Sequence, residues 1–164
     1  MLFRSCTSKN ADRNANGNLQ SDDGTMQVAP TVTDGALVLQ PAVSGSYWYS
    51  LQNCIDVSTS GFLYLNVTAK PGASFNVQLQ SGGSGCAGST LLQRASVSSS
   101  AYGSMTGSPV LLKIPLSAYT SVGNSAFSLK AINAVVLEGF NAETSTYSIY
   151  CAYFGNGATN GTAT

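Results

Sequence analysis

No stretch of a dozen residues in this chain carries sustained helical periodicity. Short runs rich in β-branched and aromatic residues recur instead between clusters of Gly, Ser, Pro and Asn, the pattern of a sandwich or barrel of many short strands. Strands are predicted over 25–32, 36–40, 47–52, 62–69, 74–81, 91–97, 110–114, 132–140 and 147–154. Pro71-Gly72 supplies a turn between two of them. A short helical turn is expected within 119–130. The fold class that follows is all-β, a sandwich or barrel.

With 164 residues the chain has the length of one domain. We expect an N-terminal segment over 1–17 tied to the domain, the sandwich over 18–154, and a Gly- and Thr-rich flexible tail over 155–164. Only 9% of residues are charged, seven basic against seven acidic, where an average soluble domain has about 25%. Ser, Thr, Asn, Gln and Gly must therefore supply the polar surface. Such a surface suits extracellular and cell-wall proteins and has no electrostatic footprint for nucleic acid or an anionic membrane. No apolar run reaches the roughly 18 residues of a spanning helix. The opening Met1-Leu2-Phe3-Arg4-Ser5-Cys6 is too short and polar for the core of a secretory signal, so a missing leader or a longer parent protein is expected.

Four cysteines, Cys6, Cys54, Cys86 and Cys151, with no CxxC pair and no histidine in the chain, point away from zinc and toward disulfides in a secreted protein. Three pairings are open. Two sequons, Asn66-Val67-Thr68 and Asn160-Gly161-Thr162, agree with secretion.

Successive residues on a strand point to opposite sides, so alternation assigns faces. In 62–69, Leu63, Leu65 and Val67 share one face and Tyr64, Asn66 and Thr68 the other. In 74–81, Phe75, Val77 and Leu79 face the core, while Asn76, Gln78 and Gln80 face away. The two strands, expected as neighbours joined by the tight Pro71-Gly72 turn, then present one outer sheet face with an aromatic ring and a row of amides. The run 132–140 is apolar on both faces except at Glu138, as expected of a central, covered strand.

Sugars are held by aromatic rings that stack on the apolar face of a pyranose and by amides or carboxylates that bond its hydroxyls. Tyr64, Asn76, Gln78, Gln80 and Glu138 are the candidates, together with Tyr47, Trp48 and Tyr49. The plainer reading is that the aromatics are core and the amides only solubilise a sheet. Alternation puts Trp48 on the face opposite its two tyrosine neighbours, so one side of that triplet is core; the sequence does not say which. Catalysis has little to work with: without histidine the Ser-His-Asp and Cys-His systems are absent. A glycosidase needs two carboxylates roughly 5–10 Å apart, and Asp56 with Glu138 is the pair to test. Asp22-Asp23-Gly24 could contribute oxygens to a structural calcium ion, or form a solvated turn.

The runs Asn18-Leu19-Gln20-Ser21-Asp22-Asp23-Gly24-Thr25-Met26, Ser46-Tyr47-Trp48-Tyr49, Asn53-Cys54-Ile55-Asp56, Ser74-Phe75-Asn76-Val77-Gln78-Leu79-Gln80, Lys113-Ile114-Pro115-Leu116 and Val135-Val136-Leu137-Glu138-Gly139-Phe140, in this order, resemble the galactose-binding-like jelly-roll carbohydrate-binding modules of fungal secreted proteins. In those proteins such modules accompany polysaccharide deacetylase or glycoside hydrolase domains. The resemblance implies an antiparallel two-sheet β-sandwich of jelly-roll type with a carbohydrate-binding face or loop rim, and often a structural calcium near the start of the domain, although Ser5-Cys6-Thr7-Ser8-Lys9 departs from the usual first strand. It also implies the disulfides Cys54–Cys86 and Cys6–Cys151. The expected function is non-catalytic binding of a cell-wall polysaccharide, a β-glucan or chitin, by a secreted module with no required cofactor. The alternative is a structural or protein-interaction module of the wall, or a secreted effector, with no affinity for sugar.

Overall fold

The computed structural model describes residues 19–82, 93–120 and 127–157. Cys6, Cys86, Asn160, the segment 1–17 and the end of the tail lie outside the described residues. So does half of 119–130, the range of the expected helical turn; among the described residues two short 3-10 turns occur at Ser99–Ala101 and Leu116–Ala118.

Among the described residues, ten strands form two five-stranded sheets in which every pairing is antiparallel. The strands are β1 (Gln20–Asp22), β2 (Thr31–Thr33), β3 (Ala36–Leu39), β4 (Trp48–Ile55), β5 (Phe62–Ala69), β6 (Asn76–Ser81), β7 (Gln93–Ser98), β8 (Val110–Pro115), β9 (Ile132–Glu138) and β10 (Tyr147–Gly155). The first sheet runs β1-β4-β9-β6-β7 and the second β2-β3-β10-β5-β8. The all-β sandwich expected from the sequence is therefore the observed fold.

The inner faces follow the alternation. Leu63, Leu65 and Val67 of β5 meet Val77 and Leu79 of β6, with Val135 and Leu137 of β9 and Leu112 and Ile114 of β8, in one core cluster. Each such side chain withdrawn from water contributes about 1.5–3 kcal/mol. Near one end of the sandwich Phe75, Phe140 and Tyr147 pack together, with ring centroids 4.9–5.9 Å apart. The Tyr147 hydroxyl donates to the Ser74 carbonyl at 3.3 Å and accepts from the Ala142 N–H at 3.2 Å. Asn141 secures the same corner: its Oδ1 accepts from the Ser74 N–H at 2.6 Å and its Nδ2 donates to the Gly72 carbonyl.

That corner overturns one expectation. β5 and β6 are consecutive but not paired, because the Pro71-Gly72 turn carries the chain from one sheet to the other. Tyr64 and the amides of β6 therefore lie on opposite outer sides of the sandwich. The predicted strand 25–32 is also cut to the isolated Met26 bridge and β2, since Pro30 has no N–H to give a ladder. β9, by contrast, sits at the centre of its sheet as expected.

Gly139 leaves β9 with φ +62°, and a Cβ there would lie 2.8 Å from the Asn76 Nδ2. Gly139→Ala thus meets both left-handed strain and a displaced Asn76. We expect a loss of about 1–2 kcal/mol, read as a fall in Tm of roughly 2–4 °C per kcal/mol; an unchanged Tm would show that the corner adjusts freely.

The chain has no histidine, so stability should be nearly flat around neutral pH. Burial raises the pKa of the Tyr119 hydroxyl, with a smaller contribution from Tyr102. Burial also raises that of Tyr147, against the bond from the Ala142 N–H. Unfolded tyrosine loses its proton near pH 10. Above that value the unfolded chain sheds protons that the fold retains, so stability is full below about pH 10 and falls as pH rises. Urea midpoints measured from pH 8 to 11 should be level and then decline; a level course to pH 11 would contradict this.

Candidate functional site

The outer side of the first sheet carries a groove of about 360 Å³ lined by Tyr47, Tyr49, Leu51, Gln78, Gln80, Arg94, Ala134, Val136 and Glu138. Strand register explains why these residues meet. Tyr49 pairs with Val136 and Leu51 with Ala134 across β4 and β9. Across β9 and β6, Val136 pairs with Gln78 and Ala134 with Gln80, and Gln80 pairs with Arg94 on β7. Four strand columns thus contribute a floor and two walls. Small side chains of β9 form the floor, Tyr47, Tyr49 and Leu51 the apolar wall, and Gln78, Gln80 and Arg94 the polar wall. From Ala134 to Glu138 is four strand steps, about 14 Å, and β4 to β6 spans about 10 Å.

The walls differ in chemistry. Tyr47 is 40% exposed and its ring stands 6.4 Å from that of Tyr49 at an interplanar angle of 40°, so the two offer adjoining but not coplanar faces. Opposite them, Gln78 Nε2 donates to Glu138 Oε1 at 2.7 Å and Gln80 Nε2 donates to Gln78 Oε1 at 2.7 Å. The bond to the carboxylate is charge-assisted and short.

Of the residues expected at a sugar site, the structure thus gathers Tyr47, Tyr49, Gln78, Gln80 and Glu138. Asn76 pairs with Glu138 at the margin and packs on Gly139 without lining the groove. Trp48 is corrected: it pairs with Leu137 and turns into the core, 6% exposed, with no hydrogen-bond partner for its Nε1 among the described residues. Tyr64 is corrected as well. It is fully buried on the second sheet, stacked on Tyr153 at 4.7 Å, and can stack on no ligand. Arg94, Leu51, Ala134 and Val136 went unnoticed in the sequence. Alternation within β7 puts Arg94 opposite Ala95 and Val97, but only the pairing of β7 with β6 brings it to the groove.

Asp56 and Glu138 do not converge. Ile55, beside Asp56, pairs with Ile132 at the start of β9, whereas Glu138 ends that strand, six steps or about 20 Å away. This exceeds the separation of a two-carboxylate glycosidase. Asp56 instead binds the Ser58 N–H and hydroxyl, bonds that hold its pKa below the ordinary carboxylate value.

The two carboxylates of the expected calcium loop each accept a backbone hydrogen bond. Asp22 Oδ2 accepts from the Gly24 N–H and Asp23 Oδ1 from the Thr25 N–H, both at 3.1 Å, and among the described residues no group of three or more His, Cys, Asp or Glu could hold a metal. Calcium takes 6–8 oxygens. Among the described residues, the two carboxylates cap the turn that leads out of β1. Neither Cys54 nor Cys151 is a free thiol. No helix of the described residues is long and apolar enough to cross a membrane.

No family model matches the chain and no curated protein matches it. Solved structures do. The family 30 carbohydrate-binding module of a cellulosomal cellulase of Clostridium thermocellum is similar with a TM-score of 0.72 at 16% identity, over 96% of this chain and 99% of that one. A family 29 carbohydrate-binding module from Piromyces equi gives 0.60 at 13% identity, over 98% and 93%. A family 11 module from Clostridium thermocellum, in complex with a β-1,3-1,4-mixed-linked tetrasaccharide, gives 0.53 at 10% identity, over 85% and 84%. At such identities the likeness establishes the fold.

Proposed function

We propose that this chain is a non-catalytic module that binds a cell-wall polysaccharide of the β-glucan class in the groove over β9. The observation that carries the reading is the meeting of an aromatic wall, Tyr47 and Tyr49, with the Gln80–Gln78–Glu138 relay across a floor of Ala134 and Val136. Stacking on one side and hydroxyl bonding on the other is what a sugar chain requires. The fold shared with carbohydrate-binding modules supports the reading, and the tetrasaccharide held by the family 11 module favours a glucan over chitin. The separation of Asp56 from Glu138 speaks against hydrolysis by that pair. A module of this kind would serve outside the cell, holding a tethered catalytic domain or the cell surface against its polymer.

The test is retention of the purified, oxidised domain on insoluble cellulose, β-1,3-glucan, mannan and chitin. Glucan matrices should retain it, Tyr49→Ala and Gln78→Ala should weaken retention, and Leu111→Ser, an exposed site on β8 of the other sheet, should not. Retention on no polymer would replace this reading with the structural or protein-interaction one.

The disulfides Cys54–Cys86 and Cys6–Cys151 belong to the same proposal. Ile55 and Ser81 both pair with Ile132, so Cys54 lies at the end of the sheet from which the chain leaves β6 toward Cys86. Non-reduced peptide mapping should yield a Cys54–Cys86 peptide; a Cys54–Cys6 or Cys54–Cys151 peptide would contradict it.

A further inference from the structure

We propose that Glu138 is a positioning residue that fixes the donor and acceptor pattern of the polar wall through two amides, and that this pattern selects a glycan edge of unsubstituted hydroxyls. The inference rests on the binding function proposed above and specifies what the groove recognises.

An ionised carboxylate only accepts hydrogen bonds, while a side-chain amide has an accepting and a donating end. Glu138 Oε1 therefore takes the Nε2 of Gln78, at 2.7 Å. This turns the Gln78 Oε1 toward β6's next outward residue, where it takes the Nε2 of Gln80, also at 2.7 Å. The Gln80 Oε1 is then the end that remains. Neither it nor the second oxygen of Glu138 receives a hydrogen bond from any described residue, and both side chains line the groove.

Two amides bonded only to each other could reverse together at little cost. A charge at one end removes that freedom, and Gln78 is 8% exposed, so little water competes for the bonds. One acid thereby sets the orientation of an amide it does not touch. The wall it creates asks the ligand to donate: hydroxyl protons must be offered to Gln80 and Glu138 while the ring stacks on Tyr49. O-methylation removes those donors and leaves the carbon framework of the sugar in place.

The test has two arms. In ligand-free protein, the side-chain NH2 resonances of Gln78 and Gln80 should both shift and exchange faster with water in Glu138→Leu, with Glu138→Gln as a second variant should the first fold poorly. A change confined to Gln78 would overturn the relay. In the binding arm, the wild type should hold an unmodified β-glucan at least about tenfold more tightly than its O-methylated form, a difference near 1.4 kcal/mol. Glu138→Gln should lose most of that preference, whereas Tyr49→Ala should weaken both ligands alike. A variant at 138 that keeps the full preference would overturn the inference. If the wild type binds neither polymer, the proposed function fails, and the amide resonances still decide the relay by themselves.

Discussion

Replacing Tyr49 with alanine is expected to lower affinity for a β-glucan about thirtyfold, a loss near 2 kcal/mol. Tyr49 stands mid-wall, between Tyr47 and Leu51 on the outer side of β4 and beside Val136 on the floor. Its truncation removes the stacking surface at the point where the ligand would be most enclosed, which is where single residues dominate binding. Tyr49→Phe keeps the ring and should retain most of the affinity, separating stacking from the hydroxyl. The fold should survive both changes, since Tyr49 is half-buried and belongs to no core cluster. Calorimetric titration with a soluble glucan oligosaccharide, alongside Tm, measures the two effects separately. Equal affinity in Tyr49→Ala and the wild type would move the binding site away from this wall.

The second large effect is structural. Phe75→Ala is expected to cost about 3–5 kcal/mol, a large share of the 5–15 kcal/mol that typically holds a domain together. Phe75 is 1% exposed and touches both Phe140 and Tyr147. Its N–H also donates to the Ser99 hydroxyl at 3.0 Å. The cavity would open where the chain passes between sheets, beneath the Asn141 bonds to Ser74 and Gly72. Urea denaturation should show the midpoint falling steeply with the slope retained. A loss under about 1 kcal/mol would mean that the corner closes around the missing ring.

The strand that the sequence placed best is β5, predicted over 62–69 and found over Phe62–Ala69. Its apolar residues alternate without a break, and turn residues bound it on both sides. β1 was missed because Gln20-Ser21-Asp22 has no strand propensity of its own. It is extended because Ser50, Tyr49 and Trp48 of β4 pair with it, and local pattern cannot report such a partner. The outer and inner sides of β6 were legible by alternation, yet its sheet was not. That depends on Asn141 and Tyr147, far along the chain, which clamp the turn before it.

The same limit governs the site. Alternation required Trp48 and its tyrosine neighbours to part company, but only the pairing of Trp48 with Leu137 decides that the indole goes inside. Tyr64 was correctly turned outward from Leu63 and Leu65, then assigned to the wrong side of the sandwich. In β10 the register shift between Ile149 and Cys151 changes the phase, so that Tyr147 and Ile149 before it and Ala152 and Phe154 after it share the core. A bulge of this kind leaves no mark in a strict two-residue period. Arg94 shows the remaining gap: a charged residue in a polar strand becomes a groove residue only once β7 is known to lie beside β6.

The most direct test of the binding groove is a titration of isotope-labelled protein with a soluble mixed-linkage β-glucan oligosaccharide, followed by backbone and side-chain amide resonances. Saturable shifts confined to the outward residues of β4, β9, β6 and β7, with the Gln78 and Gln80 side chains among the largest, are the predicted result. Saturable shifts centred on β5, β8 and β10, or no shift at millimolar sugar, would contradict a glucan-binding groove over β9.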